Sequence, residues 1–199
     1  MVSSDDAMRT IIVYSSISGF TERYAGWIAD ALDADLRRLK EIGPRDIRDY
    51  DCIVYGGSLH AVGVYGLRKM KRLIERAGLA RGAPRLLVYG VGASPPKPET
   101  IAQVRDANFT PAEQEGIPFF YFRGGFDFSR LDWFHRIIMT LFRWKIARKS
   151  TKTPDELGML KAYESAADFT DPATIAGLVD AVRSWSAREL ATGDSAADE

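Results

Sequence analysis

Cysteine is almost absent from this chain of 199 residues: Cys52 stands alone, so no internal disulfide can form. It lies in an apolar run with nothing nearby to depress its pKa. It therefore reads as a small core residue, and its scarcity fits a reducing compartment. An excess of either charge is also missing, with 27 Lys+Arg against 27 Asp+Glu and a pI near 6.8. That balance argues against a nucleic-acid binder, and equally against the strongly acidic surface common in soluble electron carriers. There is no apolar run of about 18 residues, so no membrane-spanning helix is expected. The acidic start, Met1-Val2-Ser3-Ser4-Asp5-Asp6, has no apolar stretch behind it, so no secretory signal is expected. The chain reads as cytoplasmic. Neither G-x-x-x-x-G-K-[ST] nor G-x-G-x-x-G occurs, which removes the P-loop and the dinucleotide fingerprint. No metal site is expected.

What is present is 46% hydrophobic composition, enough for one domain with a sizeable core. Residues 1–8 and 191–199 are small, polar and acidic, and read as disordered tails around a single domain over 9–190. Within it, short apolar runs alternate with helical patterns, the mark of βα units on a parallel sheet. Strands are predicted at Thr10 to Tyr14, Asp35 to Leu39, Cys52 to Tyr55, Pro84 to Tyr89 and Ile117 to Phe122. Helices are predicted at Thr21 to Leu32, at Tyr65 to Ala77 with Leu67, Met70, Ile74 and Ala77 inward, and at Pro172 to Leu190. Five strands with interleaved helices make a doubly wound α/β sheet. Ligands in that architecture bind beyond the carboxyl ends of the strands, near the switch point between the first and third.

The turn after the first strand carries the clearest chemistry. Ser15-Ser16-Ile17-Ser18-Gly19-Phe20-Thr21 crowds four hydroxyls and a glycine onto the start of a helix. Backbone N–H groups and the helix dipole there attract a phosphate dianion, and hydroxyls add donors. No lysine lies in the turn, so the site reads as neutral. Serine and threonine also cap helices for purely structural reasons. The spacing [ST]-x-[ST]-G-x-[ST] directly after a strand favours the phosphate reading. Two more segments, 56–63 and 91–95, are glycine-rich at strand ends, where a flat ring needs close backbone approach. His60 reads equally as a donor to a ligand or as a solvated loop residue.

Ser16, Ser18, Gly19 and Thr21 resemble the phosphate loop of the flavodoxin family. That resemblance implies a flavodoxin-like five-stranded sheet in the order 2-1-3-4-5, FMN as cofactor, and the phosphate on Ser16, Ile17, Ser18, Gly19, Phe20 and Thr21. Gly57, Ser58, Leu59 and His60 would line one side of the isoalloxazine, and Val91, Gly92, Ala93 and Ser94 the other. Flavodoxins usually sandwich the ring between aromatics; here the first segment offers His60 and Tyr65, and the second offers none.

An insertion at about 124–168 separates the fifth strand from the last helix. Phe134, Ile137, Ile138, Leu141 and Phe142 fall at helical spacing, an amphipathic helix with tryptophans near its ends. From Trp133 to Pro154 there is no carboxylate but six cations: Arg136, Arg143, Lys145, Arg148, Lys149 and Lys152. Such a segment suits an anionic membrane surface or an anionic substrate, or it simply packs on the sheet with its cations solvated. A Gly-Gly turn, a basic aromatic helix and a polar stretch before the last helix resemble the flavodoxin-like protoporphyrinogen IX dehydrogenases. That resemblance implies an FMN enzyme of haem biosynthesis passing electrons to a quinone at the inner membrane face. Trp133, Arg143, Lys145 and Arg148 would then contact membrane or substrate, the arginines and lysine meeting propionates. No catalytic acid or base is named. A soluble flavodoxin-type carrier with a partner protein, and a binding module without redox activity, are the competing readings.

Overall fold

The computed structural model describes residues 8–79, 85–126, 140, 144, 146, 148 and 167–193. Its frame is a parallel sheet whose central strands are buried on both faces. The strands are β1 (Thr10–Ser15), β2 (Asp35–Arg38), β3 (Cys52–His60), β5 (Arg85–Gly92) and β6 (Phe119–Arg123), in the order β2-β1-β3-β5-β6. A two-residue strand, β4 (Gly63–Val64), folds back antiparallel on the end of β3. With that hairpin arm set aside, the order is the expected 2-1-3-4-5.

Two-residue alternation sorts each strand between two cores. Ile12, Tyr14, Val54, Leu87, Tyr89 and Phe122 face α1 (Phe20–Leu32) and the closing helix α5 (Ala176–Gly193). Ile11, Val13, Ile53, Tyr55 and Val88 face α2 (Leu67–Ala77), with Val104 of α3 (Pro98–Asn108). Strands covered on both faces read as continuous apolar runs, which is why Ile11–Tyr14 and Cys52–Tyr55 were legible. Edge strand β2, sequence DLRR, is charged, and this keeps its free edge from pairing with other chains. No helix joins β2 to β3. Two 3-10 turns, Leu39–Glu41 and Pro44–Ile47, bury Leu39 and Ile47 against α2's core instead.

Several expectations are corrected. The third strand does not end at Gly56-Gly57 but runs on to His60. The glycines there are required by the protein's own packing. A Cβ at Gly56 would overlap the Tyr89 ring, and one at Gly57 would lie 2.5 Å from Val64 Cγ1. Helix α2 starts at Leu67, after Gly66, and buries Leu73 with Leu67, Met70 and Ala77, leaving Ile74 half-buried. Residues Pro172–Ile175 form a 3-10 turn before α5. Two helices went unforeseen: α3 and α4 (Pro111–Gly116), which bury Val104 alone between them and so present no apolar stripe. The closing helix reaches Gly193, beyond the expected boundary at 190, whereas the rest of that tail and residues 1–7 lie outside the described residues.

The tight crossing of Tyr89 on β3 makes a paired prediction. Gly56→Ala should lower the unfolding free energy in urea by about 1–3 kcal/mol. Gly26→Ala, in α1 with nothing within 4 Å of the new methyl, should raise it by about 0.5–1 kcal/mol.

Candidate functional site

The site lies where β1 and β3 part company. Their ladder ends at the pair Ser15↔Gly57, after which β1 leads to α1 on one face and β3 to α2 on the other. Ligands bind at such a divergence because the strand ends leave a crevice there. Gly19 caps α1 in the left-handed region, φ 88°, with no side-chain cap of its own. The first N–H groups of α1, like those of any helix, have no intrahelical acceptor, and here no N-cap side chain takes one. Ser16 Oγ accepts from the Gly19 N–H at 3.1 Å. The Ile17 N–H donates to Ser58 Oγ at 3.2 Å. Ser16, Ile17, Ser18 and Gly19 are part-exposed at the surface, while Phe20 is buried.

Thr21 behaves differently from the other loop residues. Its side chain is fully buried, and its hydroxyl lies 2.9 Å from Ser58 Oγ, itself buried. The pair ties the start of α1 to β3 and holds the loop's shape. The donors left to a ligand are the N–H groups of the first turn of α1, with the hydroxyls of the part-exposed Ser16 and Ser18 beside them. That donor set, on a helix N-terminus with a left-handed glycine, fits a phosphate.

Beside the loop lies a cleft of about 610 Å³. Its floor is Ser15, Ser16, Ile17 and Gly19; one wall is Arg38, the last residue of β2, with Leu39 and Lys40, the other Tyr65, Gly66 and Lys69 at the head of α2. The reading of a neutral site is thus corrected: the loop holds no cation, but topology brings three beside it. Arg38 contacts the Glu22 carboxylate at 2.5 Å and donates from Nε to the Tyr14 hydroxyl at 2.9 Å. Tyr14 in turn donates to Glu22 at 2.7 Å. Those bonds, from Tyr14 and then Arg38, hold the Glu22 carboxyl below its ordinary range.

The segments 56–63 and 91–95 are held by residues distant in the chain. His60 ends β3 exposed, its ring stacked on Tyr65 with centroids 5.5 Å apart and planes at 30°. Asn108, closing α3, clamps that hairpin, accepting from the Val64 N–H at 2.9 Å and donating to the Val62 carbonyl at 2.7 Å. Leu59 packs instead across Gly90 and Gly92. Val91 is buried, whereas Ala93 and Ser94 are exposed. The second segment is not without an aromatic: Tyr121 of β6 donates to the Ser94 carbonyl at 2.8 Å. Nothing within the segment's own sequence announces that contact.

The insertion leaves and returns beside this loop. A two-stranded antiparallel stem, β7 (Gly125–Phe126) with β8 (Ala167–Asp168), closes it. Arg23 of α1 pins the stem, contacting Asp168 at 2.5 Å and Thr170 Oγ1 at 2.8 Å. Burial pushes the Asp168 carboxyl up, but the Thr170 N–H, Arg23 and the Thr170 hydroxyl outweigh it and bring it down to about 2. Trp133, Arg143, Lys145 and the amphipathic pattern around them lie outside the described residues. Arg148 is described: its guanidinium sits 3.5 Å over the ring of Trp144, which is 55% exposed. Cys52 is fully buried in β3. Among the described residues no group of three or more His, Cys, Asp or Glu is placed to hold a metal, and no helix is long and apolar enough to cross a membrane.

Two predictions follow from these bonds. Ser58→Ala strips a partner from the buried Thr21 hydroxyl and from the Ile17 N–H, and should cost about 1–3 kcal/mol in denaturant unfolding. Asp168, with its folded pKa depressed, stabilises the fold fully above its ordinary value of 3.8. That contribution disappears as the pH falls through about 2. Asp168→Asn should remove this part of the acid-unfolding curve while leaving the curve above pH ~5 parallel to the parent's.

Residues 11–153, well over half of the chain, match the family described as Flavodoxin domain. Similar solved structures include the Trp repressor binding protein from Bacillus subtilis. It is 14% identical, with TM-score 0.44, over 72% of this chain and 100% of that one. Oxidised Flavodoxin 2 from Bacillus cereus is 18% identical, with TM-score 0.42, over 58% and 84%. A flavodoxin, WrbA-like protein from Agrobacterium tumefaciens is 15% identical, with TM-score 0.40, over 57% and 82%. No curated protein matches the chain significantly. With its family match, its β2-β1-β3-β5-β6 parallel sheet and its phosphate-fitting turn at the switch point, the chain belongs to the flavodoxin-domain family, whose cofactor is FMN.

Proposed function

We propose that this protein is an FMN-dependent oxidoreductase of the quinone-linked protoporphyrinogen IX dehydrogenase type, working at the inner face of the cytoplasmic membrane. The observation that carries this reading is the exposed Trp144–Arg148 stack, on a segment with six cations and no carboxylate. An exposed tryptophan capped by a guanidinium suits a surface that is apolar and anionic at once. A quinone partitions into such a membrane surface, and a tetrapyrrole dicarboxylate presents the same two chemistries. The stem that carries this segment is fastened to α1, the helix that opens at the phosphate loop.

In this reading the flavin, when bound, supplies the redox chemistry, and the protein binds and orients it. The α1 N-terminal N–H groups with Ser16 and Ser18 hold the phosphate. Gly57, Ser58, Leu59 and His60, backed by Tyr65, and Val91, Gly92, Ala93 and Ser94, backed by Tyr121, flank the ring. Trp133, Arg143, Lys145 and Arg148 are assigned to the carboxylates of the substrate or to the membrane surface. No side chain is assigned as a catalytic acid or base.

Anaerobic oxidation of protoporphyrinogen by the yellow, flavin-loaded protein with a quinone acceptor tests the reading. Turnover that loses at least tenfold in kcat/KM on replacing Arg148 and Lys145 by glutamine is expected. Flavin uptake without turnover would return the protein to the class of soluble electron carriers. A colourless protein that fails to take up FMN would remove both readings.

A further inference from the structure

FMN's phosphate carries about −1.5 to −2 charge at neutral pH, and a loop with no cation must hold it. Part of the loop's donor capacity is already committed: the Ile17 N–H goes to Ser58 and the Gly19 N–H to Ser16. Glu22, in the first turn of α1, lines the same cleft and repels an anion. Arg38 answers that charge, since its guanidinium is spent on the Glu22 carboxylate and on Tyr14. Two cations of the cleft are not spent in this way. Among the described residues, Lys69 Nζ donates to the neutral Leu39 carbonyl alone, at 3.4 Å. Lys40 interacts with Glu22 only at longer range. Among the described residues neither lysine has a carboxylate within ion-pair distance. Both line the cleft whose floor is the phosphate loop.

We propose that Lys40 and Lys69 are the counter-charges of FMN's phosphate, and that they make this site select phosphorylated flavin over riboflavin. Charge balance carries the assignment. With Arg38 cancelling Glu22, two lysines leave the cleft at +2, the magnitude of the dianion the floor is shaped to bind. The lysines approach from opposite walls, one after β2 and one at the head of α2. Neither is adjacent in sequence to the loop it serves. The site is thereby distinguished from one that holds phosphate by backbone and hydroxyl donors alone. The proposal rests on FMN being the ligand of this loop.

The test is flavin titration of the full-length protein, stripped of flavin, by fluorescence quenching at low and at high ionic strength. Exposed charge pairs contribute about 0.2–1 kcal/mol each, up to about fivefold in Kd per pair. K40Q/K69Q should thus weaken FMN by about tenfold at low ionic strength, leave riboflavin unchanged, and converge on the parent as salt screens the charges. E22Q should shift FMN the opposite way, to tighter binding, which a folding defect would not produce. The proposal is overturned if K40Q/K69Q binds FMN like the parent, or loses FMN and riboflavin equally. A parent protein that takes up neither flavin overturns the FMN assignment itself, a separate result from a parent that binds FMN with lysine-independent affinity.

Discussion

The buried hydroxyl pair of Thr21 and Ser58 is the junction on which the candidate site depends. Up to Ser15↔Gly57 the β1–β3 ladder satisfies the backbone; beyond it the two strands diverge to opposite faces of the sheet. A polar group left alone at such a point is costly, because the interior offers no water to replace a missing partner. Ser58 resolves this in two directions, pairing with Thr21 Oγ1 and accepting from the Ile17 N–H. The loop is therefore tied at both ends, to β3 through Ser58 and to itself through Ser16. Gly19 supplies the left-handed turn that points the α1 N-terminus into the crevice. The hydroxyls of one short motif thus differ in setting, with Thr21 buried against Ser58 and Ser16 and Ser18 part-exposed.

The chain's zero net charge conceals a strong partition. Among the described residues that line the cleft the only carboxylate is Glu22, and it is paired with Arg38. Another basic stretch, 133–154, has no carboxylate at all. Acidic groups elsewhere serve structural ends: Asp168 holds the stem, Glu113 pairs with Lys71 at 2.7 Å, and Asp46 accepts from the Gly43 N–H. Composition reports the sum and so points to an unremarkable surface. Function depends on where the charges collect, and that is decided by topology.

Legibility followed the range of the interactions involved. The donor-rich turn from β1 into α1 was legible because its parts are contiguous, and the central strands because they are buried on both faces. The extension of β3 was hidden, since Gly56-Gly57 reads as a break until Tyr89, 33 positions downstream, is seen crossing it. Lys40 and Lys69 carry no local signal: one follows a polar edge strand, and the other is one of several cations on a basic helix. The sheet order and the helixless link from β2 to β3 bring them to one cleft. Tyr121 was hidden for the same reason, reaching Ser94 across neighbouring strands rather than along the chain.

The stem shows how an insertion can be attached without loosening the site beside it. Closing a loop of this length costs entropy that grows only slowly with its length, so firm ends matter more than a short path. The ends here are over-determined. The Gly124 N–H donates to the Gly92 carbonyl at 2.8 Å and the Phe169 N–H to the Gly124 carbonyl at 3.0 Å. Arg123 lies 3.7 Å over the Phe169 ring, while the Tyr24 hydroxyl donates to the Arg123 carbonyl and accepts from the Asp171 N–H. A Cβ at Gly125 would overlap the Phe20 ring, so the stem lies flat against the first residue of α1. Phe20, Arg23 and Tyr24 all belong to the first turns of that helix. The helix that opens at the loop is therefore the one that fixes where the insertion begins and ends.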